Sequence, residues 1–135
     1  MRRPTNLLFV YGTLKRGGAL HTELTSQGVR FLGSAQIQGR LFRIPGESYP
    51  GALPTDTQEY VMGELYELEN PRSALKRIDE IEGCDEGLFE RKLVNAWVKN
   101  QRAKVWAYFY AKPLKKSSRI SNGNFSTRSR TRLAR

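Results

Sequence analysis

The chain has 135 residues, 39% hydrophobic and 27% charged, enough for one core, too few for two full domains, and unlike a disordered or fibrous chain. One cysteine, Cys84, and one histidine, His21, exclude an internal disulfide and a Cys- or His-rich metal centre. The formal charge of +10 is uneven: eight basic and no acidic residues lie from Lys112 onward, leaving 15 basic and 13 acidic before it, a net of +2.

The composition predicts a near-neutral domain over residues 1–114 and a basic tail over 115–135. Such a tail can attract nucleic acid or anionic surfaces. With only Phe125 as an aromatic in it, a solvated terminus is the favoured reading. The apolar run at residues 7–11 follows Arg2 and Arg3 but is too brief for a signal-peptide core or a bilayer span. The expectation is a soluble cytoplasmic protein with no membrane contact.

In chain order, residues 7–11 predict a short strand ending at Gly12. Gly17 and Gly18 break the chain, and residues 19–26 predict a short helix. Loose alternation over residues 31–44 predicts one long curved strand, with Gly33 and Gly39 as bends. Pro45-Gly46 is a turn and Tyr49-Pro50-Gly51 an irregular segment. Residues 60–68 predict a strand, with Val61, Gly63 and Leu65 on one face and Met62, Tyr66 and Leu68 on the other.

Asn70 is suited to an N-cap and Pro71 to the first helical position. Leu75, Ile78 and Ile81 recur at helical spacing, and Gly83 stands where a glycine ends a helix. Residues 88–98 and 103–111 then form a hairpin pattern through Lys99, Asn100 and Gln101. Five or six strands with one good helix predict an α+β domain, its curved sheet able to close as a small mixed β-barrel with flanking short helices.

Two features suggest chemistry. Glu82 continues the apolar stripe of Leu75 and Ile78 into the last helical turn. Desolvation, the negative end of the helix dipole and the neighbouring Asp79 and Glu80 all disfavour its anion, which makes it a better proton acceptor near neutral pH. The plainer alternative is an acidic helix end reaching water, and on pattern alone that alternative is favoured. The second feature is Val10-Tyr11-Gly12-Thr13-Leu14-Lys15-Arg16-Gly17, an apolar strand running into a basic glycine-containing loop. Such a loop can present backbone N–H groups to a carboxylate or developing oxyanion. Its glycine spacing is neither that of a phosphate loop nor that of a dinucleotide fingerprint, and an ordinary turn is again the plainer alternative.

These residues carry a resemblance. Val10-Tyr11-Gly12-Thr13-Leu14-Lys15-Arg16-Gly17 resembles the signature loop of the γ-glutamyl cyclotransferase-like superfamily, which includes the γ-glutamylamine cyclotransferase and AIG2-like proteins. Gly39-Arg40-Leu41-Phe42 with Tyr49-Pro50-Gly51-Ala52 resembles its central strand and tyrosine-proline turn, and residues 61–68 its next strand. Ile78-Asp79-Glu80-Ile81-Glu82-Gly83 resembles the helix end with the family's catalytic glutamate, followed by an aromatic-x-Arg strand at Phe89 to Arg91. Val105-Trp106-Ala107-Tyr108-Phe109-Tyr110 resembles the closing strand.

The resemblance spans residues 8–111 and implies a small mixed β-barrel with a pocket at one mouth. It further implies a transferase or lyase that cyclises a γ-glutamyl group to 5-oxoproline and releases an amine or amino acid. Glu82 would be general acid and base, and the backbone of Tyr11, Gly12, Thr13 and Leu14 would bind the substrate. No metal or organic cofactor is implied, and the partner is a small γ-glutamyl compound. The sequence departs from the pattern at Phe89, where tyrosine is frequent, and at the residue after Lys15, where proline is frequent. Residues 120–125 match the family's C-terminal segment only loosely.

The rival reading is a non-catalytic small barrel whose basic tail contacts nucleic acid or another polyanion. A body of net +2 argues against it. Cys84 with His21 could form a nucleophile pair, but a small thiol with no third group is the favoured reading. Trp97, Trp106, Tyr108 and Tyr110 are expected in the core and the pocket wall.

Overall fold

The computed structural model describes residues 5–114 and 118–125. In chain order its elements are β1 (Leu7–Val10), α1 (His21–Thr25), β2 (Val29–Gln38), β3 (Arg40–Arg43), β4 (Pro50–Leu53), β5 (Tyr60–Leu68), α2 (Pro71–Ile81), β6 (Phe89–Val98), β7 (Gln101–Tyr110) and β8 (Ser118–Arg119). Five strands close a barrel in the order β1-β5-β2-β6-β7, and β4-β3-β8 form a second small sheet. The α+β mixed-barrel class expected from the sequence is the observed one. No helix among the described residues is long and apolar enough to cross a membrane.

Strands with two apolar faces serve two cores. Phe9 joins Ile37, Val61, Leu65, Val105 and Phe109 in one cluster. Leu8 and Val10, one position off, pack with Leu24, Tyr66, Leu68, Ala74, Leu75 and Ile78 in the other. Side chains alternate across a strand, so β1 and β5 each feed both clusters. Each such side chain contributes roughly 1.5–3 kcal/mol on full burial. The barrel closes where β1 meets β7 in a parallel pairing, Leu8 opposite Trp106.

Two expected elements are corrected. The single strand over residues 31–44 is two strands in different sheets, broken at Gly39, where a Cβ would meet the Leu53 carbonyl oxygen at 3.0 Å. The register shift between Phe31 and Gly33 is the bend anticipated at Gly33. Only Tyr49 of the expected irregular segment lies outside a strand: Pro50 opens β4, which also takes in Gly51, an edge strand paired with β3, and an edge is where a residue without an N–H fits a sheet. By contrast, β5 has the expected bounds, and β6 and β7 form the expected hairpin around Lys99 and Asn100, both at positive φ.

Residues 118–125, grouped with the tail in the sequence division, lie on the barrel. β8 pairs with β3, the Ile120 N–H donates to the Leu41 carbonyl (2.8 Å), and the Met62 N–H donates to the Gly123 carbonyl (2.7 Å). Arg119 forms an ion pair with Glu59. Phe125 is 3% exposed and belongs to the barrel cluster. The rest of the expected basic tail, including Arg128, Arg130, Arg132 and Arg135, lies outside the described residues.

Candidate functional site

The site begins with the end of α2. Pro71 starts the helix; Ala74, Leu75 and Ile78 bury one stripe of it. Gly83 stops it at φ +71, in the left-handed region open to glycine. Glu82 is the C-cap residue, held by its N–H to the Ile78 carbonyl at 2.9 Å. The stripe therefore delivers the Glu82 carboxylate into an apolar surrounding, where it is only partly exposed. Among the described residues it makes no hydrogen bond and no ion pair. Desolvation, reinforced by the charge of Asp79, pushes its pKa up to about 7. Glu80, expected to add to this effect, is exposed and turned to Arg77 instead.

Asp79 is itself fixed. Arg91 of β6 donates Nε and Nη2 to its two carboxylate oxygens at 2.8 and 3.0 Å, and the Tyr108 hydroxyl donates to Oδ1 at 2.6 Å. Arg91 also lies over the Trp106 ring, 4.5 Å from its centroid. A bidentate pair of this kind sets direction as well as distance, so the end of α2 is tied to the barrel wall.

The second component is the loop after β1. Its carbonyls are used internally: Gly12 accepts from the Lys15 N–H (3.1 Å), Thr13 from the Leu20 N–H (2.9 Å), and Leu14 from His21 Nδ1 (2.9 Å). The N–H groups of Gly12, Thr13 and Leu14 donate to nothing among the described residues. The turn is tight enough that a Cβ on Gly18 would lie 2.2 Å from the Thr13 carbonyl oxygen, and one on Gly12 would lie 3.0 Å from Pro50. The Tyr11 side chain anchors the loop's start, its hydroxyl donating to the Tyr108 carbonyl at 2.7 Å and accepting from the Ala52 N–H at 3.0 Å.

These parts share one cavity of about 140 Å³. Tyr11, Gly12, Thr13 and Leu14 line it together with Glu82, and Leu20, Tyr49, Pro50, Leu88, Phe89 and Tyr108 complete its walls. An apolar cavity of roughly 150 Å³ accommodates benzene, so the space is that of one small-molecule moiety. All five residues singled out from the sequence thus meet in one place. Sequence reasoning did not find the Asp79–Arg91 pair or the bridging Tyr11 hydroxyl, because partners far apart in the chain leave no local spacing. His21 and Cys84 do not act as a pair: His21 is turned onto Leu14, and burial pushes the Cys84 thiol up to about 11, away from the thiolate that nucleophilic chemistry needs.

The fold and the cavity together define a small closed-barrel protein in which one carboxylate and one tight backbone turn face a common space. The chain belongs to the gamma-glutamyl cyclotransferase, AIG2-like family, whose model matches residues 8–127. It is 26% identical over 103 residues, 76% of this chain and 82% of the relative, to a Methanocaldococcus jannaschii protein provisionally named a gamma-glutamylcyclotransferase. An AIG2-like protein of Mus musculus superposes with a TM-score of 0.69 at 25% identity, over 81% of this chain and 79% of that one. Bacillus subtilis YkqA superposes with a TM-score of 0.74 at 22% identity, covering 98% of this chain but 44% of that longer one, a likeness of fold.

Proposed function

We propose that this chain cyclises γ-glutamyl compounds to 5-oxoproline. The observation that supports the reading is the shared cavity: its lining holds a carboxylate with a pKa pushed up to about 7 and three residues whose backbone N–H groups, like that carboxylate, have no partner among the described residues. The substrate's α-amine attacks its own γ-carbonyl carbon, forming the ring C–N bond. The bond from that carbon to the leaving nitrogen then breaks. Glu82 takes the proton released by the attacking amine and returns it to the leaving nitrogen, so the step is neutral in protons and electrons. Proton transfer of this kind supplies roughly 10²–10⁴-fold.

The N–H groups of Gly12, Thr13 and Leu14 hold the substrate carboxylate or the oxyanion that develops on the γ-carbonyl. The apolar walls exclude water and fold the γ-glutamyl arm toward its own amine, the positioning a five-membered ring closure requires. Phe89, buried against Tyr110 at 5.4 Å between centroids, contributes wall without a hydroxyl. The test is a panel of γ-glutamyl amines and γ-glutamyl amino acids, with 5-oxoproline followed in time. Glu82→Gln keeps size but removes the base, and turnover is expected to fall roughly 10²-fold or more. Near-native turnover in a folded variant would overturn the assignment of Glu82.

A further inference from the structure

Lys15 sits in the loop whose Gly12, Thr13 and Leu14 line the cavity, yet its own side chain reaches the Asn124–Phe125 segment instead. Its ammonium donates to the Asn124 side-chain oxygen at 3.1 Å and to the Phe125 carbonyl oxygen at 2.8 Å. Among the described residues it forms no ion pair. Burial lowers its pKa, offset in part by the charge of Glu64. A partly desolvated ammonium held by two neutral oxygens is a poor source of stability; its geometric effect is specific. Both acceptors are fixed: the Gly123 carbonyl takes the Met62 N–H, and the Phe125 ring is in the barrel core. Gly123 itself has φ +70, and a Cβ there would lie 2.1 Å from the Tyr60 carbonyl oxygen, so the segment can sit this close only with glycine at that position.

We propose that Lys15, with Asn124 and the Phe125 carbonyl as its seat, is a positioning residue that holds the substrate loop in its binding shape. This rests on the reading of Gly12, Thr13 and Leu14 as the substrate's hydrogen-bond donors. The coupling is short. The Lys15 N–H closes the turn onto the Gly12 carbonyl, and the Lys15 carbonyl accepts from the Gly18 N–H at 2.8 Å. Fixing the Lys15 side chain therefore fixes the residue on which the turn pivots. The C-terminal segment thus completes a site that it does not line.

Lys15→Met keeps length and apolar stem and removes both hydrogen bonds. In the full chain, hydrogen exchange at the Gly18 and Leu20 amides, which bond within the loop, is expected to quicken about tenfold or more, while the Glu82 amide at the end of α2 is unchanged. On whichever γ-glutamyl substrate the native chain turns over, kcat/KM is expected to drop between roughly tenfold and a hundredfold. The pH dependence set by Glu82 should stay in place. Asn124→Ala should give a weaker effect that adds little to Lys15→Met, since the contact it breaks is one of the two that Lys15→Met already removes. Unchanged exchange at Gly18 and Leu20, equal acceleration at Glu82, or fully additive variants would each overturn the proposal. A native chain that forms no 5-oxoproline would instead overturn the cyclotransferase reading, with the exchange data still deciding whether Lys15 holds the loop.

Discussion

At the scale of the residue, Glu82 is a case where a local pattern carries chemical information. The helical stripe, the stop at Gly83 and the adjacent Asp79 are all visible in the sequence, and burial and the Asp79 charge act on the carboxylate in the expected direction. The reinforcing contribution expected from Glu80 is not found, because spacing along a helix does not say which way an exposed side chain turns. The raised pKa has a stability consequence of definite sign. Between the ordinary 4.5 and about 7, the folded chain keeps a proton on Glu82 that the unfolded chain has released. That stabilisation is complete below the lower value and is lost as pH rises through the upper one, by at most roughly 3 kcal/mol. Urea unfolding at pH 5 and pH 8 should therefore show the native chain weakening relative to Glu82→Gln. A difference between the two proteins that is flat with pH would mean that the carboxylate titrates normally. Under the proposed mechanism Glu82 acts in its base form, so kcat/KM should climb with pH through about 7 in the native chain.

At the scale of the element, what was legible depended on whether partners were near in sequence. β5 alternates cleanly between turn-forming flanks, and the β6–β7 hairpin announces itself through its short connection. β4 was hidden, since Pro50-Gly51 has the composition of a turn and becomes a strand only by lying along β3 at a sheet edge. The same limit applies to Gly63, which looks like a weak spot in β5 until β1 is laid across it. A Cβ there would lie 2.2 Å from the Val10 carbonyl oxygen and 2.6 Å from the Phe9 ring. Gly63→Ala should cost roughly 1–3 kcal/mol through overpacking, read as a melting temperature lower by several degrees. An unchanged melting temperature would show that β1 can move off β5.

At the scale of the whole molecule, the barrel was within reach of the sequence because glycines marked where strands bend. The return of the C-terminal segment was not, because basic residues dominate the composition there and the short run from Ile120 to Phe125 has no periodicity. A chain ending at residue 114 loses β8, the Met62–Gly123 bond and the buried Phe125 ring. Deleting a buried aromatic alone costs roughly 3–5 kcal/mol, so this truncation should lower the melting temperature and impair turnover together. A chain ending at residue 127 keeps all of these contacts and sheds Arg128, Arg130, Arg132 and Arg135. Its turnover should match that of the full chain, while any retention on a polyanion column falls and loses its steep salt dependence. Equal polyanion retention by the full chain and the chain ending at residue 127 would move the basic surface onto the barrel.

The pairing of Leu8 with Trp106 also sets a schedule for synthesis. β1 leaves the ribosome first, but its parallel neighbour is the last of the long strands, and the contact that seats its following loop is made later still. Until then the edge of β1 and the apolar residues on both its faces have only part of their cover, the situation in which nascent chains are held by chaperones. A chain stalled before residue 106 accordingly has an open sheet, with most of the cavity lining made but its Tyr108 wall and the Phe125 seat of Lys15 still to come.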